Sequence, residues 1–496
     1  METAEVIVIG AGISGIGTAV KLREQGFEVL LLEKADQVGG TWRDNTYPGC
    51  ACDIPSTLYS FSFAPNAGWT RVFAEQAEIQ EYVTTVADDY GIPAITHFGT
   101  EVLDAGWSAA DSAWHLDTTR GPYRAAYLVI AVGPLHEPVL PDVAGLERFQ
   151  GTAFHSARWD HDHDLAGERV AVIGTGASAA QFVPEIQPAV GQMTIFQRTP
   201  GWVMPKLDWR LSRLEQGLLA RTPGLQRAVR AAIWAGIELV IQAAHQPWIS
   251  KRFETIGRWN IRRAIADPQL RSDLTPAYTL GCKRVMVSNA FYPAVAKPNV
   301  KVVPHAVREI RERSVVDAEG TEHQVDTIIF GTGFHVHDLP IADRVHGRDG
   351  RSLAEVWDGS PRAFLGTSIA GFPNAFMLFG PNVGTASAFA MLDAQLSYMV
   401  SGMTQARERN LAAMDIRPEI QAEYNEEVRR ALEGSVWNAG GCSSYYLDAH
   451  GFNASAWPWS MLSLQRRLRR FPIEAFETIP AEVAAQEPVA AAGGRS

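Results

Sequence analysis

Residues 5–15 read Glu5-Val-Ile-Val-Ile-Gly10-Ala-Gly12-Ile-Ser-Gly15. The unbroken apolar run before Gly10 is that of a strand buried on both faces. A helix pattern follows to about Gln25, and then a second apolar strand from Glu28 to Glu33. This order of strand, glycine turn, helix and strand is what a dinucleotide-binding unit requires. Gly10 permits the turn, Gly12 lets the backbone approach a pyrophosphate, and Gly15 lets helix and strand pack closely. The amino end of the helix then faces the phosphates. Glu33 stands where a carboxylate accepts hydrogen bonds from ribose hydroxyls.

The pattern returns at Arg169-Val-Ala-Val-Ile-Gly174-Thr-Gly176-Ala-Ser178-Ala179. Alanine takes the third glycine's place, and Gly174, Gly176 and Ser178 are expected to hold a second cofactor. The next strand runs from Met193 into Arg198-Thr199. Arg198 lies in the region where Glu33 stood in the first unit. A carboxylate there repels the 2′-phosphate of NADP, whereas a guanidinium pairs with two of its oxygens. The expected fold is therefore α/β with two Rossmann-like dinucleotide-binding domains, for FAD first and NADPH second. Apolar strands ending in small-residue turns, Tyr127–Gly133 and Val325–Phe334, would close the two units. Residues 371–382 end in Gly380-Pro381-Asn382. A helix pattern from about Ala386 to Met399 follows, its amino end placed to stabilise negative charge on a reduced flavin. Asn382 is counted with the cofactor-binding residues.

Working outward, residues 1–140 form the first part of the FAD-binding domain and 141–203 the first part of the NADP-binding domain. Residues 204–281, with apolar positions spaced by three and four, form a helical insertion. The NADP-binding domain resumes over 282–333 and the FAD-binding domain over 334–475, leaving 476–496 as a flexible tail. The 496 residues carry a formal net charge of −11 and are 46% hydrophobic and 20% charged. That composition fits a globular chain and argues against nucleic-acid binding. Cys50, Cys52, Cys282 and Cys442 are neither dense nor spaced like a zinc ribbon, so free thiols, a reducing compartment and no metal are expected. The start, METAEVIVIG, lacks the basic region of a secretory signal, and Arg230 and Glu238 interrupt the most apolar later stretch. A cytoplasmic chain without a membrane span is expected.

Between the two units lies Phe149-Gln-Gly151-Thr-Ala-Phe-His155-Ser-Ala-Arg-Trp159-Asp160. Flanked by glycine turns, it resembles the linker fingerprint of class B flavoprotein monooxygenases, specifically type I Baeyer–Villiger monooxygenases. The resemblance covers about residues 5–470. It implies oxidation of ketones to esters or lactones with NADPH and O2, through a C4a-peroxyflavin whose anion attacks the carbonyl. It implies that Arg284, in Gly281-Cys-Lys283-Arg284, supplies the fixed positive charge near the flavin. Lys283 beside it would share the NADPH phosphate with Arg198 and Thr199. Asp53, in Tyr47-Pro-Gly-Cys50-Ala-Cys52-Asp53, looks like the family's flavin-side aspartate, which holds and tunes the arginine; Cys50 and Cys52 are packed spectators. Gly39-Gly40-Thr41-Trp42 resembles the flavin-binding turn, with Trp42 packed over the cofactor. His155 is assigned to domain coupling or nicotinamide positioning and Trp159 to anchoring the linker.

Two departures stand out. Many relatives carry a glycine-histidine pair after Gly380-Pro381-Asn382, where this chain has Val383-Gly384, and Ser444-Tyr445 stands where relatives often have serine-tryptophan. The alternative is a flavin-containing N- or S-oxygenating monooxygenase. Sulfide oxidation does not separate the two, but ketone-to-ester conversion does. Substrate identity and oligomeric state stay open.

Overall fold

The computed structural model describes residues 1–244, 246–384 and 387–484. Its first sheet grows from β1 (Glu2–Ile9), in which Val6, Ile7 and Val8 are fully buried. β1 pairs in parallel with β2 (Val29–Glu33) on one side and β6 (Gly121–Ile130) on the other. Beyond β2 lies β3 (Thr96–Phe98). Beyond β6, an antiparallel meander of β5 (Ala113–Thr118) and β4 (Val102–Ser108) carries the sheet to the short strand Val345–His346. Strand Ala375–Met377 also pairs with β6, so residues from beyond 334 complete the sheet begun by the amino-terminal segment. Helices α1 (Ile13–Arg23), α2 (Thr41–Asp44) and α3 (Gln76–Asp89) belong to the same half.

The second sheet is wholly parallel. Its order is Val300–Val303, β9 (Gln192–Phe196), β8 (Arg169–Ile173), Thr327–Phe330 and β7 (Thr152–His155). The strand between β8 and β7, Thr327–Phe330, therefore comes from after the insertion. Helix α4 (Ala177–Ile186) follows the second glycine turn.

The insertion is helical. Ser212 and Glu215 form a reciprocal cap that starts α5 (Arg213–Arg221), and proline opens both α6 (Pro223–Ala244) and α7 (Pro247–Ala264), where its missing N–H has no helical partner to lose. Buried Trp202 seats the insertion. Its indole N–H donates to the Tyr278 carbonyl at 3.0 Å, and a Cβ at Gly257 of α7 would fall 2.7 Å from its ring. No described helix is long and apolar enough to cross a membrane.

The structure corrects two expectations. Cys282 and Cys442 are joined in a disulfide, leaving Cys50 and Cys52 as the free thiols; no local spacing signals a pairing across 160 residues. Residues 476–480 are not the flexible tail expected there, because Phe476–Pro480 pairs antiparallel with Leu411–Ile416. Residues 485–496 lie outside the described residues, as do Thr385 and Ala386; the helix expected from Ala386 is described from Ala388 to Glu408.

Candidate active site

The first glycine turn is built by close approach. Gly10 has φ +103°, and a Cβ there would lie 2.8 Å from the Ala131 carbonyl oxygen; one on Gly15 would lie 1.9 Å from that of Gly10. Neither position admits a side chain. Gly12 differs, since a Cβ would meet nothing nearer than Gly40 Cα at 3.6 Å. The space beside it opens into a long cavity lined by Gly10, Gly12, Glu33, Gly40, Thr41 and Trp42, with Ala388 and Met391 of the later helix on its wall. Glu33 is buried. Its carboxylate accepts from the Ala11 N–H at 2.8 Å and the Ala35 N–H at 2.9 Å, and pairs with Arg43 at 3.1 Å. These bonds leave acceptor capacity on both oxygens for ribose hydroxyls. Arg43, which sequence reasoning missed, also donates to the Gln37 carbonyl and pairs with Asp44, tying the Gly39–Trp42 turn to Glu33. Trp42 donates its indole N–H to Tyr59 Oη at 3.0 Å. A glycine-walled trough with a carboxylate at one end and an aromatic pair beside it fits FAD.

The second turn repeats the geometry. Gly174 has φ +100°, and a Cβ there would sit 2.5 Å from the Gly331 carbonyl oxygen. Gly176 is open, its nearest such neighbour at 3.9 Å. At the end of β9, Arg198 and Thr199 line a second cavity with Lys283, Tyr278 and Asp273. Burial and the nearby charge of Arg198 both lower the Lys283 pKa. Two cations held together in this way suit a doubly charged anion such as the NADP 2′-phosphate.

A hydrogen-bonded loop joins the units. Residues 47–53 lie against α4 so closely that a Cβ on Gly49 would fall 2.8 Å from the Gln181 carbonyl oxygen. The Gln181 side-chain oxygen accepts from Tyr47 Oη at 2.9 Å and from the Ala51 N–H at 3.3 Å. Its amide donates to the Ala51 carbonyl at 3.0 Å and to Asp53 Oδ1 at 3.3 Å. Asp53 Oδ2 in turn meets Arg284 Nη2 at 3.4 Å, across 231 positions of sequence. The aspartate is mostly buried and the arginine 42% exposed, so the guanidinium is accessible to a reactant. Tyr445 and Tyr446 stand within electrostatic reach of Arg284, and the Cys282–Cys442 bond holds their segment to the 281–284 turn that carries it. Burial pushes the Cys50 and Cys52 thiols up to about 12; neither is a nucleophile near neutrality.

Gln181, invisible in sequence as one polar residue on an amphipathic helix, thus bridges the second unit to Asp53. Gln181→Leu keeps the shape and removes those bonds. At about 1 kcal/mol for orienting Asp53, turnover is expected to fall roughly fivefold to tenfold. NADPH KM stays unchanged, and stopped-flow and steady-state assays with FAD retained check this.

His155 and Trp159 belong to the linker beside this junction. His155 Nδ1 accepts from the Ala157 N–H at 3.0 Å, and burial together with the charge of Arg158 pushes its imidazole down to about 4, so the ring is neutral near neutrality, with its one proton on Nε2. Trp159 packs on Phe154 and on Phe182 of α4, and Phe182 touches Tyr47, an aromatic chain from the linker to the 47–53 loop. Asn382 lies outside the first cavity's lining. Its amide donates to the carbonyls of Asn453 and Ala456 at 2.8 and 3.2 Å.

Residues 7–215 match the family described as pyridine nucleotide-disulphide oxidoreductase. A Baeyer–Villiger monooxygenase from Streptomyces coelicolor is 46% identical over 98% of this chain and 95% of its own length. One from Pseudomonas aeruginosa is 42% identical over 97% of this chain and 92% of its own. Among solved structures, a closed cyclohexanone monooxygenase superposes with a TM-score of 0.87 at 28% identity, over 97% of this chain and all of that one. An oxidized steroid monooxygenase bound to NADP gives 0.86 at 28%, over 96% and 100%.

Proposed function

This chain belongs to the Baeyer–Villiger monooxygenases, FAD- and NADPH-dependent enzymes that oxidise ketones with O2, and from that premise we propose which of its residues carry the reaction. The observation that supports the assignment best is the Asp53–Arg284 pair, brought together from two distant segments between a trough suited to FAD and a cation pair suited to NADP. The overall reaction takes ketone, O2, NADPH and a proton to ester or lactone, NADP+ and water. FAD held in the first trough would supply the two-electron redox chemistry that links NADPH to O2.

Arg284 keeps a permanent positive charge where oxygen reaches the carbonyl and stabilises the negative charge that develops on the substrate oxygen. Asp53 orients the guanidinium, and Gln181 orients Asp53. Gly10, Gly12, Gly15, Glu33, Gly40, Thr41 and Trp42 hold FAD. Gly174, Gly176, Ser178, Arg198, Thr199 and Lys283 hold NADPH. The FAD-binding domain comprises residues 1–140 and 334–480, the NADP-binding domain 141–203 and 282–333, and the enzyme works in the cytoplasm, where both cofactors are supplied.

The test is product analysis. FAD-loaded protein with NADPH, O2 and a panel of linear, cyclic and aryl ketones is expected to yield an ester or lactone one oxygen heavier by mass spectrometry. A panel giving only hydrogen peroxide, or oxygenating sulfides and amines but no ketone, overturns the assignment. Lys283→Ala removes a charge-assisted contact of about 1.5–3 kcal/mol. NADPH KM is expected to rise about 10-fold to 100-fold, with that for NADH little changed.

A further inference from the structure

The outward face of α7 is ill-suited to bulk water. Residues 248, 251, 252, 255, 256, 259, 262 and 263 recur at helical spacing and are all exposed. They include Trp248 at 62%, Trp259 at 52% and Ile256 at 42% exposure. The same face carries Lys251, Arg252, Arg262 and Arg263 and no carboxylate. Glu254, the acid of this helix, turns inward to accept from the Leu280 N–H. Arg252 lies over the Trp248 ring and Arg263 over that of Trp259.

The neighbouring α6 continues the pattern. Its interior charges also turn inward: Arg230 donates to the Thr57 carbonyl and to Ser60, and Glu238 accepts from the Met461 N–H. What α6 leaves outside beyond Arg227 is apolar or small, from Ala228 through Ala231, Ala232 and Ala235 to Leu239 and Val240, the last two 75% and 58% exposed. Over 204–281, Lys and Arg outnumber Asp and Glu by twelve to six, in a chain whose net charge is −11.

We propose that the outer faces of α6 and α7 dock the enzyme on an anionic lipid bilayer, lying in the headgroup layer without spanning it. Tryptophan suits that layer because its ring is apolar and its N–H polar. Lys and Arg meet lipid phosphates while their stems and the exposed Leu and Val reach the acyl boundary. The segregation of positive charge on one face of an acidic protein orients it toward an anionic surface. A second copy docked through the same patch would set these cations against their own equivalents, so the lipid is the better complement.

Co-sedimentation of the FAD-loaded full chain with vesicles of phosphatidylcholine, alone or mixed with phosphatidylglycerol, tests this. The protein is expected to pellet with the mixed vesicles, with a blue shift of tryptophan fluorescence, and to be released by high salt. Arg252→Glu with Arg263→Glu, and separately Trp248→Ala with Trp259→Ala, are expected to lower the partition coefficient about tenfold or more, while turnover of a water-soluble ketone stays as in the parent. Absence of pelleting, or pelleting equal on the two vesicle types, overturns the proposal. So does retained binding in variants that keep FAD and activity. Dimers that dissociate in the tryptophan variant would assign the surface to a second copy instead. The salt and lipid dependence of the unaltered protein decides the matter if either variant fails to fold.

Discussion

Arg284→Ala is expected to cut ketone oxygenation about a thousandfold while FAD stays bound and NADPH is still consumed, the electrons appearing as hydrogen peroxide. Removing one preorganised donor to a developing oxyanion typically costs a hundredfold to a thousandfold. This change also removes a full charge, which places it at the upper end. Arg284 is 42% exposed and meets Asp53 at 3.4 Å, so its truncation removes little packing, and fold and cofactor content are expected to survive. Arg284→Lys restores the charge but loses the planar fork that aligns with Asp53, and is expected to recover a small part of the rate. Comparing ester formed with NADPH oxidised across the three proteins is the measurement. Unchanged ester yield in the alanine variant would remove Arg284 from the chemistry.

The second large effect separates two glycines three positions apart. Gly15→Ala forces a methyl group to 1.9 Å from the Gly10 carbonyl oxygen, and both partners are backbone locked between β1 and α1. The helix must lift off the strand, at a cost of about 3 kcal/mol or more. The expected result is poorly soluble protein without flavin. Gly12→Ala meets no protein atom nearer than 3.6 Å, so the apoprotein is expected to fold and melt as the parent apoprotein does. Its methyl group fills the space through which a pyrophosphate approaches, and FAD affinity is expected to fall at least about tenfold, a loss of about 1.4 kcal/mol. Thermal melting of the apoproteins and FAD titration by fluorescence distinguish the two outcomes. Equal behaviour of the two variants would show that the cavity beside Gly12 is not where the cofactor phosphates lie.

Both glycine turns were legible in sequence because their physics is local: a strand, a sharp turn and a helix lie within a dozen residues, and only glycine meets the close approaches. The contrast of Glu33 with Arg198 was legible for the same reason, since ribose chemistry sits at a nearly constant distance from the turn. Arg284 and Asp53 became candidates only through family resemblance, because nothing in their own neighbourhoods says that 231 residues of separation close to 3.4 Å. Gln181 was unreadable even then; its importance arises from a loop that arrives from 130 residues away. The Cys282–Cys442 bond and the strand Phe476–Pro480 were missed for a related reason. Each depends on a partner that tertiary packing supplies and local pattern does not encode.

The place of Thr327–Phe330 between β8 and β7 in the parallel sheet sets a timetable for biosynthesis. When β8 and β9 leave the ribosome, β8 has one neighbour and one bare edge, and β7 has no partner at all. Both wait while residues 197–326 are made, on the order of ten seconds at ordinary elongation rates. During that interval the apolar faces of Val170, Val172 and Phe154, buried in the finished molecule, face solvent or each other. The nascent second unit is therefore a natural client for chaperones, and truncation before residue 330 leaves it without the strand that joins its two halves. Pausing translation just after that strand has cleared the exit tunnel is the point at which NADP-dependent protection of the nascent chain would first arise.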